Sequence, residues 1–424
     1  MYIRDLIRKK RDKKELTEAE MDFFIQAYNK NEILDDQASV LLMLMNINGL
    51  SLKEMIYMVK AMADTGMKYD MYEINNKSVD IHAIGGVDDK VILIALAVLN
   101  SFNLPAVKII SREIGIKDKL LGAKIYSYNN DREIIKSNIK NNIITFIEEN
   151  SMLSPVEEKL YKLRNNIACN SDVSIIAASI MSQKISLGFK NIIFDISYGD
   201  KTYVRSKSDA KKLAKYLIKI GQYFDIKVKC IITNLNEPIG RFVGNSLEMK
   251  EIINSLDSGM TSEMRELIVE ISNIAIQMET GNFFKSYKKE IYDVINKKTI
   301  RNIIINYFKE SINNSIGNSL TKANNIIPVM SQTSGYIEEI DVSAIKTLAH
   351  SINAIRYQNN ESLDMECGIE LCKKVGDSVG AGEVLGYIYL NDETKTQKSV
   401  ASFRSAFIIN SNIVKRKKRI TNII

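Results

Sequence analysis

The stretch V-D-I-H-A-I-G-G-V-D-D-K-V, residues 79–91, combines three local signals that together indicate the fold. An apolar run comes first, a Gly-Gly pair follows, and the chain continues as V-I-L-I-A-L-A-V-L-N at 91–100. A strand, a glycine turn and a buried helix in this order are typical of α/β proteins, and the N–H groups at the start of such a helix favour an anion. Two carboxylates, those of Asp88 and Asp89, stand where the anion would bind. The stretch therefore has the layout of a phosphate-binding site, but its two negative carboxylates would repel a phosphate.

Strand and helix patterns alternate beyond this stretch. A helix is predicted at 208–221, with Leu213, Leu217 and Ile220 on one face, between two apolar runs. A strand, a helix and a second strand in sequence indicate a parallel crossover. The fold class is therefore predicted as α/β with a mixed, mainly parallel sheet. The predicted strands that follow the opening stretch are 106–111, 142–147, 191–197 and 227–233.

Helical patterns occur in two separate parts of the chain. Residues 1–65 contain two capping boxes, Thr17 with Glu20 and Ser51 with Glu54, each followed by apolar residues at helical spacing. Residues 155–187 are predicted helical again, which suggests that the chain leaves the sheet and returns to the first helical unit. The glycine-rich runs after Pro328 predict antiparallel hairpins in a third, smaller domain.

Composition excludes several classes of protein. The chain has 424 residues, 45% hydrophobic and 26% charged, which predicts a globular protein. No run of 18 apolar residues occurs and residues 1–20 have no apolar core, so we expect a cytoplasmic protein with no membrane contact. The net charge of +7 is spread among acidic residues, so no nucleic acid is expected, and the basic run 415–419 is interpreted as a solvated strand or tail. Four cysteines without neighbouring histidines predict no metal site.

Longer motifs then appear in order along nearly the whole chain. They resemble the pyrimidine-nucleoside phosphorylase family, which includes thymidine phosphorylase. The motifs are D-L-I-R-K-K-R-D-x-x-x-L-T-x-x-E at 5–20, H-x-x-G-G-V at 82–87, L-S-P-x-x-E-K-L-Y-x-L-R at 153–164, N-E-P-I-G-R-F-V-G-N-S-L-E-M-K-E at 236–251, G-Y-I-x-E-I-D near 335, and K-K-V-G-D-x-V at 373–379.

The resemblance implies three domains and a homodimer formed through the helical domains. The active cleft would lie between the helical and α/β domains and close on substrate. The domains would be a discontinuous helical domain (1–65 and 155–190), a large α/β domain (66–154 and 191–325) and a C-terminal α+β domain (326–424).

Members of that family split a pyrimidine nucleoside with phosphate into the free base and a pentose 1-phosphate. The resemblance places His82 beside the pyrimidine, as a catalytic residue. It assigns Arg164 and Ser179, fifteen residues apart, to hydrogen bonds with the ring. Gln183 stands where the family has a lysine, so it can donate a hydrogen bond but brings no charge to the departing base. We expect a pyrimidine base or nucleoside as the ligand.

The phosphate-binding residues implied by the resemblance are largely replaced. Ile81, Ala83, Ile84 and Ile92 stand where the family has hydrogen-bond donors. A second phosphate segment is shortened at 111–122, although it keeps Ser111, and Ser197 stands at a family lysine. Asp88 replaces a glycine and adds a charge that repels phosphate. These changes predict a degenerate phosphate site in a protein that binds pyrimidines without phosphorolysis.

Two alternatives remain open. In one, the protein is an active phosphorylase in which other cations hold the phosphate: Arg112, Lys117, Lys119 and Lys201. In the other, water replaces phosphate and the protein is a nucleoside hydrolase with Asp88 or Asp89 as general base.

The family resemblance also implies a monovalent cation near the Gly-Gly turn in some members. Lys90 stands at the turn's threonine ligand, whereas the carboxylate ligand is retained as Glu251. We predict that the ammonium of Lys90 replaces the cation, because it matches potassium in charge and donates three hydrogen bonds. No other cofactor is expected. The former cation site comprises Asp88, Lys90, Ile239, Phe242 and Glu251.

Overall fold

The computed structural model of the protein describes residues 1–85, 89–110, 115–122, 131–148, 154–199, 202, 204–297, 299–307, 323–356 and 361–424. Within these ranges the helices are α1 (Ile3–Arg11), α2 (Glu18–Asn29), α3 (Asp35–Asn48), α4 (Leu52–Ala63), α5 (Met71–Ile74), α6 (Asp89–Ser101), α7 (Ile116–Gly122), α8 (Arg132–Lys140), α9 (Pro155–Asn166), α10 (Val173–Leu187), α11 (Lys207–Tyr223), α12 (Asn245–Ser258), α13 (Ser262–Thr280), α14 (Lys288–Asn296), α15 (Thr299–Tyr307), α16 (Val342–Ser351) and α17 (Thr396–Ser405). The strands are β1 (Val79–Ile84), β2 (Val107–Ile110), β3 (Thr145–Glu148), β4 (Asn191–Tyr198), β5 (Lys227–Asn234), β6 (Phe242–Val243), β7 (Asn325–Met330), β8 (Gly335–Ile340), β9 (Gly368–Leu371), β10 (Ser378–Val379), β11 (Val384–Leu390), β12 (Phe407–Asn410) and β13 (Ile420–Ile423).

The N-terminal helices form a bundle that a later part of the chain completes. Both predicted capping boxes are present, with the Thr17 and Ser51 hydroxyls accepting from the backbone N–H groups of Glu20 and Glu54. α9 and α10 pack against α2, α3 and α4, and their apolar faces share one core. Residues more than a hundred positions apart in sequence therefore build one wall of the molecule.

The main sheet has the order β1-β4-β5-β13. β1, β4 and β5 are parallel, and β13 joins β5 antiparallel. β2 and β3 form a second parallel pair, and β2 lies beside β1. The predicted crossover is present, because α11 connects the parallel strands β4 and β5. The α/β fold class with a mixed, mainly parallel sheet is confirmed.

The C-terminal region is antiparallel, as its glycine-rich runs predict. Its two sheets have the orders β6-β9-β11-β7 and β10-β8-β12, with α16 and α17 beside them. Two strands cross the predicted domain limits. β6, from the α/β segment, pairs with β9, and β13, from the last residues of the chain, pairs with β5. Each of these two strands satisfies the free backbone groups of an edge strand in the other region. The domain limits stay a prediction.

The basic run 415–419 leads directly into β13. Arg419 is buried and donates to the carbonyl of Glu237 at 2.9 Å. No helix within the described ranges is long and apolar enough to cross a lipid bilayer.

Candidate functional site

Gly85, the residue directly after β1, lies very close to the neighbouring strand β4. Gly85 has φ 81°, and a Cβ at this position would lie 2.9 Å from the carbonyl oxygen of Ser197 on β4. Only glycine fits this backbone without strain. Residues 86–88 lie outside the described residues, so the positions of Gly86 and Asp88 are not described.

His82 lies on β1, near the end of the strand that leads to Gly85. It pairs in register with Phe194 of β4, and the two rings meet edge to face with centroids 5.8 Å apart. The side chain keeps some exposed surface, but protein atoms surround the ring closely. Burial, assisted by the positive charges of Lys184 and Lys108, lowers the pKa of His82 well below its usual value. His82 is therefore neutral at pH 7.

Three residues predicted to bind the base come together between α9 and α10. Arg164 Nη2 donates to Ser179 Oγ at 2.8 Å. Gln183 Nε2 donates to Glu157 Oε2 at 2.7 Å, and Ser179 Oγ donates to Glu157 Oε1. The fifteen-residue spacing thus places Arg164 and Ser179 in direct contact on facing helices.

Glu157 is the centre of this group, although it is not among the residues predicted from the sequence. Glu157 lies two turns before Arg164 on α9, so both side chains share one helical face. Burial raises the pKa of Glu157, and the opposing charge of Arg164 partly offsets this effect. The recognisable signal was an acidic residue seven positions before the arginine. We call Glu157, Arg164, Ser179 and Gln183 the base cluster.

One buried N–H donor of the base cluster makes no hydrogen bond within the described residues. Arg164 Nε is buried and has no hydrogen-bond partner within the described part of the chain. A buried N–H without an acceptor costs about 1 to 3 kcal/mol, so this donor suits a ligand acceptor such as a ring carbonyl.

Two buried lysines lie near His82, and neither was among the sequence candidates. Lys184 of α10 forms an ion pair with Asp80 of β1 at 2.7 Å. Lys108 of β2 donates to the carbonyl of Ile81 at 2.6 Å. Both lysines lie close enough to His82 to lower its pKa. A lysine inside an otherwise apolar strand or helix was the signal available in the sequence.

The residues that stand at the family's phosphate-binding positions differ in burial, and not all of them are described. Ile81 and Ile92 pack in the apolar core, Ile84 is also buried, and Ala83 is only partly buried. Ser197 is buried and exchanges a hydrogen bond with Thr233 at 2.8 Å. Ser111, Arg112 and Lys201 lie outside the described residues.

Lys117 and Lys119, two of the four cations predicted to hold the phosphate in an active phosphorylase, lie on α7. Lys117 Nζ lies 2.5 Å from Glu148 Oε1, and the lysine side chain keeps 20% of its surface exposed. Lys119 is buried, with its Nζ 3.5 Å from Glu248 Oε2. Lys117 is therefore the more accessible of the two.

Lys90 bonds two of the groups that were predicted for it. Its ammonium donates to Glu251 Oε2 at 2.7 Å and to the carbonyl of Phe242 at 2.8 Å, and it is buried. Ile239 gives it no hydrogen bond within the described ranges. Gly240 makes the arrangement possible, because a Cβ there would lie 2.5 Å from Glu251 Oε1. These oxygens already bond an ammonium, so the residues present do not fit an additional monovalent cation.

Comparison with known proteins gives matches at both ends of the chain and along its length. The model for the glycosyl transferase family, helical bundle domain, matches residues 4–66, and the model for the pyrimidine nucleoside phosphorylase C-terminal domain matches residues 336–410. The chain is 30% identical over 406 residues to "Pyrimidine-nucleoside phosphorylase" of Staphylococcus haemolyticus (strain JCSC1435), covering 93% of each chain. It is 31% identical over 405 residues to the protein of the same name from Geobacillus stearothermophilus, again covering 93% of each.

These matches correct the functional prediction. The interpretation as a pyrimidine-binding protein with a degenerate phosphate site and no phosphorolysis is wrong, because the similarity to phosphorylases extends over 93% of the chain. That interpretation counted donors at four sequence positions and treated the lysine replaced by Gln183 as a lost charge. It did not consider lysines such as Lys108 and Lys184, which reach the neighbourhood of His82 from other elements. With similarity of this extent, the chain belongs to the pyrimidine-nucleoside phosphorylase family.

Proposed function

We propose that this protein catalyses the phosphorolysis of pyrimidine nucleosides. A phosphate oxygen forms a bond to the anomeric carbon of the pentose, the glycosidic bond to the base breaks, and the bonding electron pair leaves with the base. The products are the free base and a pentose 1-phosphate. The observation that carries the proposal is the similarity over 93% of both chains to relatives that bear this name.

The base cluster suits the leaving group. Arg164 Nε has no hydrogen-bond partner among the described residues, and the guanidinium carries a positive charge that favours a base on which negative charge develops. Glu157 fixes the orientation of Ser179 and Gln183 before substrate arrives, because both donate to it. The Ser179 hydroxyl is used by that bond, whereas Gln183 Nε2 has a second N–H that can donate to the base. A preorganised donor needs little rearrangement when charge appears in the transition state.

His82 takes part as a neutral ring. With its pKa lowered, the ring keeps one N–H and one unprotonated nitrogen at pH 7. The N–H can donate to a carbonyl of the departing base, so His82 positions and polarises the ring without a full positive charge. The nearby Lys184 supplies that charge from the adjacent helix, although Asp80 partly neutralises it.

Phosphate, in this proposal, lies at the carboxyl ends of β1 and β2. Lys117, at the start of α7 after β2, has a partly exposed ammonium on this side of the sheet, which supports the proposal. Cations suit a phosphate dianion by charge and by N–H donation.

The test is a phosphate-dependence assay with uridine, thymidine and deoxyuridine. Release of the free base should require phosphate and be accompanied by an equal amount of pentose 1-phosphate, which phosphorus NMR detects. Base released without phosphate would instead indicate hydrolysis and overturn the proposal. No base release from any of the three, by a protein that circular dichroism shows to be folded, would overturn it as well.

We also propose that the protein is a homodimer formed through its helical bundle. On α3, Val40, Leu44 and Ile47 follow a helical i, i+4, i+7 spacing; Val40 and Ile47 are exposed, and Leu44 is partly buried. An exposed apolar stripe on a helix suits a partner surface. Light scattering coupled to size exclusion should give twice the chain mass of 48.1 kDa, and Ile47→Asp should shift it toward the monomer. A wild-type mass of one chain at micromolar concentration would contradict the proposal.

A further inference from the structure

The short helix α7 is held by three consecutive charged residues, each paired with a different part of the molecule. Lys117 pairs with Glu148 at the end of β3, and Lys119 lies 3.5 Å from Glu248 of α12. Asp118, between them, pairs with Arg356, which follows α16 in the C-terminal region. The orientation of α7 therefore depends on three elements that are far apart in sequence.

The Asp118–Arg356 pair has the strongest geometry of the three. Arg356 Nε donates to Asp118 Oδ2 at 3.0 Å and Nη2 donates to Oδ1 at 2.6 Å, so the contact is bidentate. The Asp118 side chain is 1% exposed and that of Arg356 14% exposed. A planar guanidinium that meets both carboxylate oxygens fixes direction as well as distance, which a lysine cannot do.

Rotation of α7 would displace Lys117 together with Asp118. Lys117 and Asp118 are adjacent, so they lie roughly 100° apart around the helix and move together. Lys117 is the partly exposed member of the three and lies beside Glu148 at the carboxyl end of β3. The contact at Asp118 thus orients the helix from which Lys117 extends, while Glu148 holds the Lys117 ammonium.

We propose that Arg356 is a positioning residue for phosphorolysis: its bidentate contact with Asp118 orients α7 and so places the Lys117 ammonium against the phosphate. This inference rests on the proposed function, because it concerns the phosphate of that reaction. It assigns to the C-terminal domain a part in phosphate binding, through a contact that spans 238 residues of sequence.

The test compares Michaelis constants for the two substrates. Arg356→Lys retains the positive charge but loses the planar guanidinium that bonds both oxygens of Asp118. The double variant Arg356→Gln with Asp118→Asn replaces the ion pair by a neutral pair, so that no buried charge is left without a partner. Both should raise KM for phosphate about tenfold, because a small misplacement of a binding group has a large effect, and leave KM for the nucleoside within about twofold. The matched control is Arg419→Lys, which alters a buried arginine whose bond to the Glu237 carbonyl does not involve α7.

Lys117 provides the readout that a purely structural contact would not give. In a Lys117→Ala background, the change Arg356→Lys should have little further effect on KM for phosphate, because the group being positioned is gone. Unchanged KM for phosphate in Arg356→Lys would overturn the inference. Equal rises for both substrates, or effects that add fully to those of Lys117→Ala, would also overturn it. Failure of the wild-type protein to use phosphate at all would instead overturn the proposed function.

Discussion

The base cluster and the lysine-rich region of Lys90, Lys108, Lys117 and Lys119 are built in opposite ways. The base cluster comes from one short section of chain, and its partners lie between 7 and 26 residues apart. The lysines bond partners that lie between 27 and 161 residues away. The first arrangement depends on the register of two helices, whereas the second depends on how sheets and domains pack.

This difference predicts that the base cluster serves mainly ligand binding, whereas the buried ion pairs of the lysine-rich region serve mainly stability. The base cluster has a buried donor, Arg164 Nε, that lacks a partner within the described residues, so a ligand can complete it. In the lysine-rich region, each ammonium lies near a carboxylate or a carbonyl of the protein, as Lys90 does with Glu251. Substitutions in the base cluster should therefore change the affinity for ligands, and substitutions at the buried Lys90 should change the free energy of unfolding.

The largest effect is expected at Lys90. Lys90→Met should lower the free energy of unfolding by about 3 to 5 kcal/mol, because it leaves the buried carboxylate of Glu251 without its counter-charge. Urea unfolding followed by circular dichroism measures the change. Lys60→Met, which breaks an exposed pair with Glu18, is the control and should cost less than about 1 kcal/mol.

The same position tests whether the ammonium stands in for a cation. Lys90→Thr should recover part of the lost stability in potassium but not in sodium, since Glu251 and the Phe242 carbonyl then become available as ligands. The wild-type melting temperature should not respond to this exchange of salts. A wild-type melting temperature that rises specifically in potassium would show that Lys90 is not a substitute.

A smaller effect on binding is expected at Arg164. Arg164→Ala should weaken pyrimidine binding by about 1 to 3 kcal/mol, because the ring loses a charged donor. Stability should change less than in Lys90→Met, because Glu157 keeps donors from Ser179 and Gln183 and, with its pKa already raised, can take up a proton.

Titration calorimetry with uracil and thymine measures the binding change for Arg164→Ala. Arg132→Ala, which removes a surface partner of Glu73, should bind as the wild type does. If the two variants bound equally well, the base cluster would not be the pyrimidine site.

The smallest effect concerns the pH dependence of stability. The pKa of His82 is lowered in the folded protein, so the unfolded chain takes up a proton first as the pH falls below about 6.5. The contribution of His82 is therefore fully present above that pH and is lost toward the lower folded pKa, by up to about 1.4 kcal/mol per pH unit.

Unfolding free energies measured between pH 7.5 and 5 test this sign. His82→Gln should flatten the slope relative to wild type, whereas the same change at His350, the other histidine, serves as control. An unaltered slope in His82→Gln would mean that the ring is protonated without cost in the folded protein.

Local signals account for the parts of the fold that were predicted correctly. The capping boxes at Thr17 and Ser51, the strands and the crossover helix α11 each follow from a few neighbouring residues. The contact between Arg164 and Ser179 belongs to the same class, although its assignment to the base came from the family resemblance. The error lay in judging charge position by position: Gln183 is uncharged, but its neighbour Lys184, paired with Asp80, lies close enough to His82 to lower the pKa of the ring.

By itself, the sequence determined the order of helices and strands, the glycine turn at Gly85 and the family. Helix periodicity, caps and turns depend on neighbours within a few residues, and these are visible in one dimension. Only the tertiary structure decided which partner each buried charged side chain finds: Lys108 bonds the Ile81 carbonyl, and Arg356 bonds Asp118. Such pairs depend on the packing of sheets and domains, because a charge in a buried place must find a partner wherever the fold brings one.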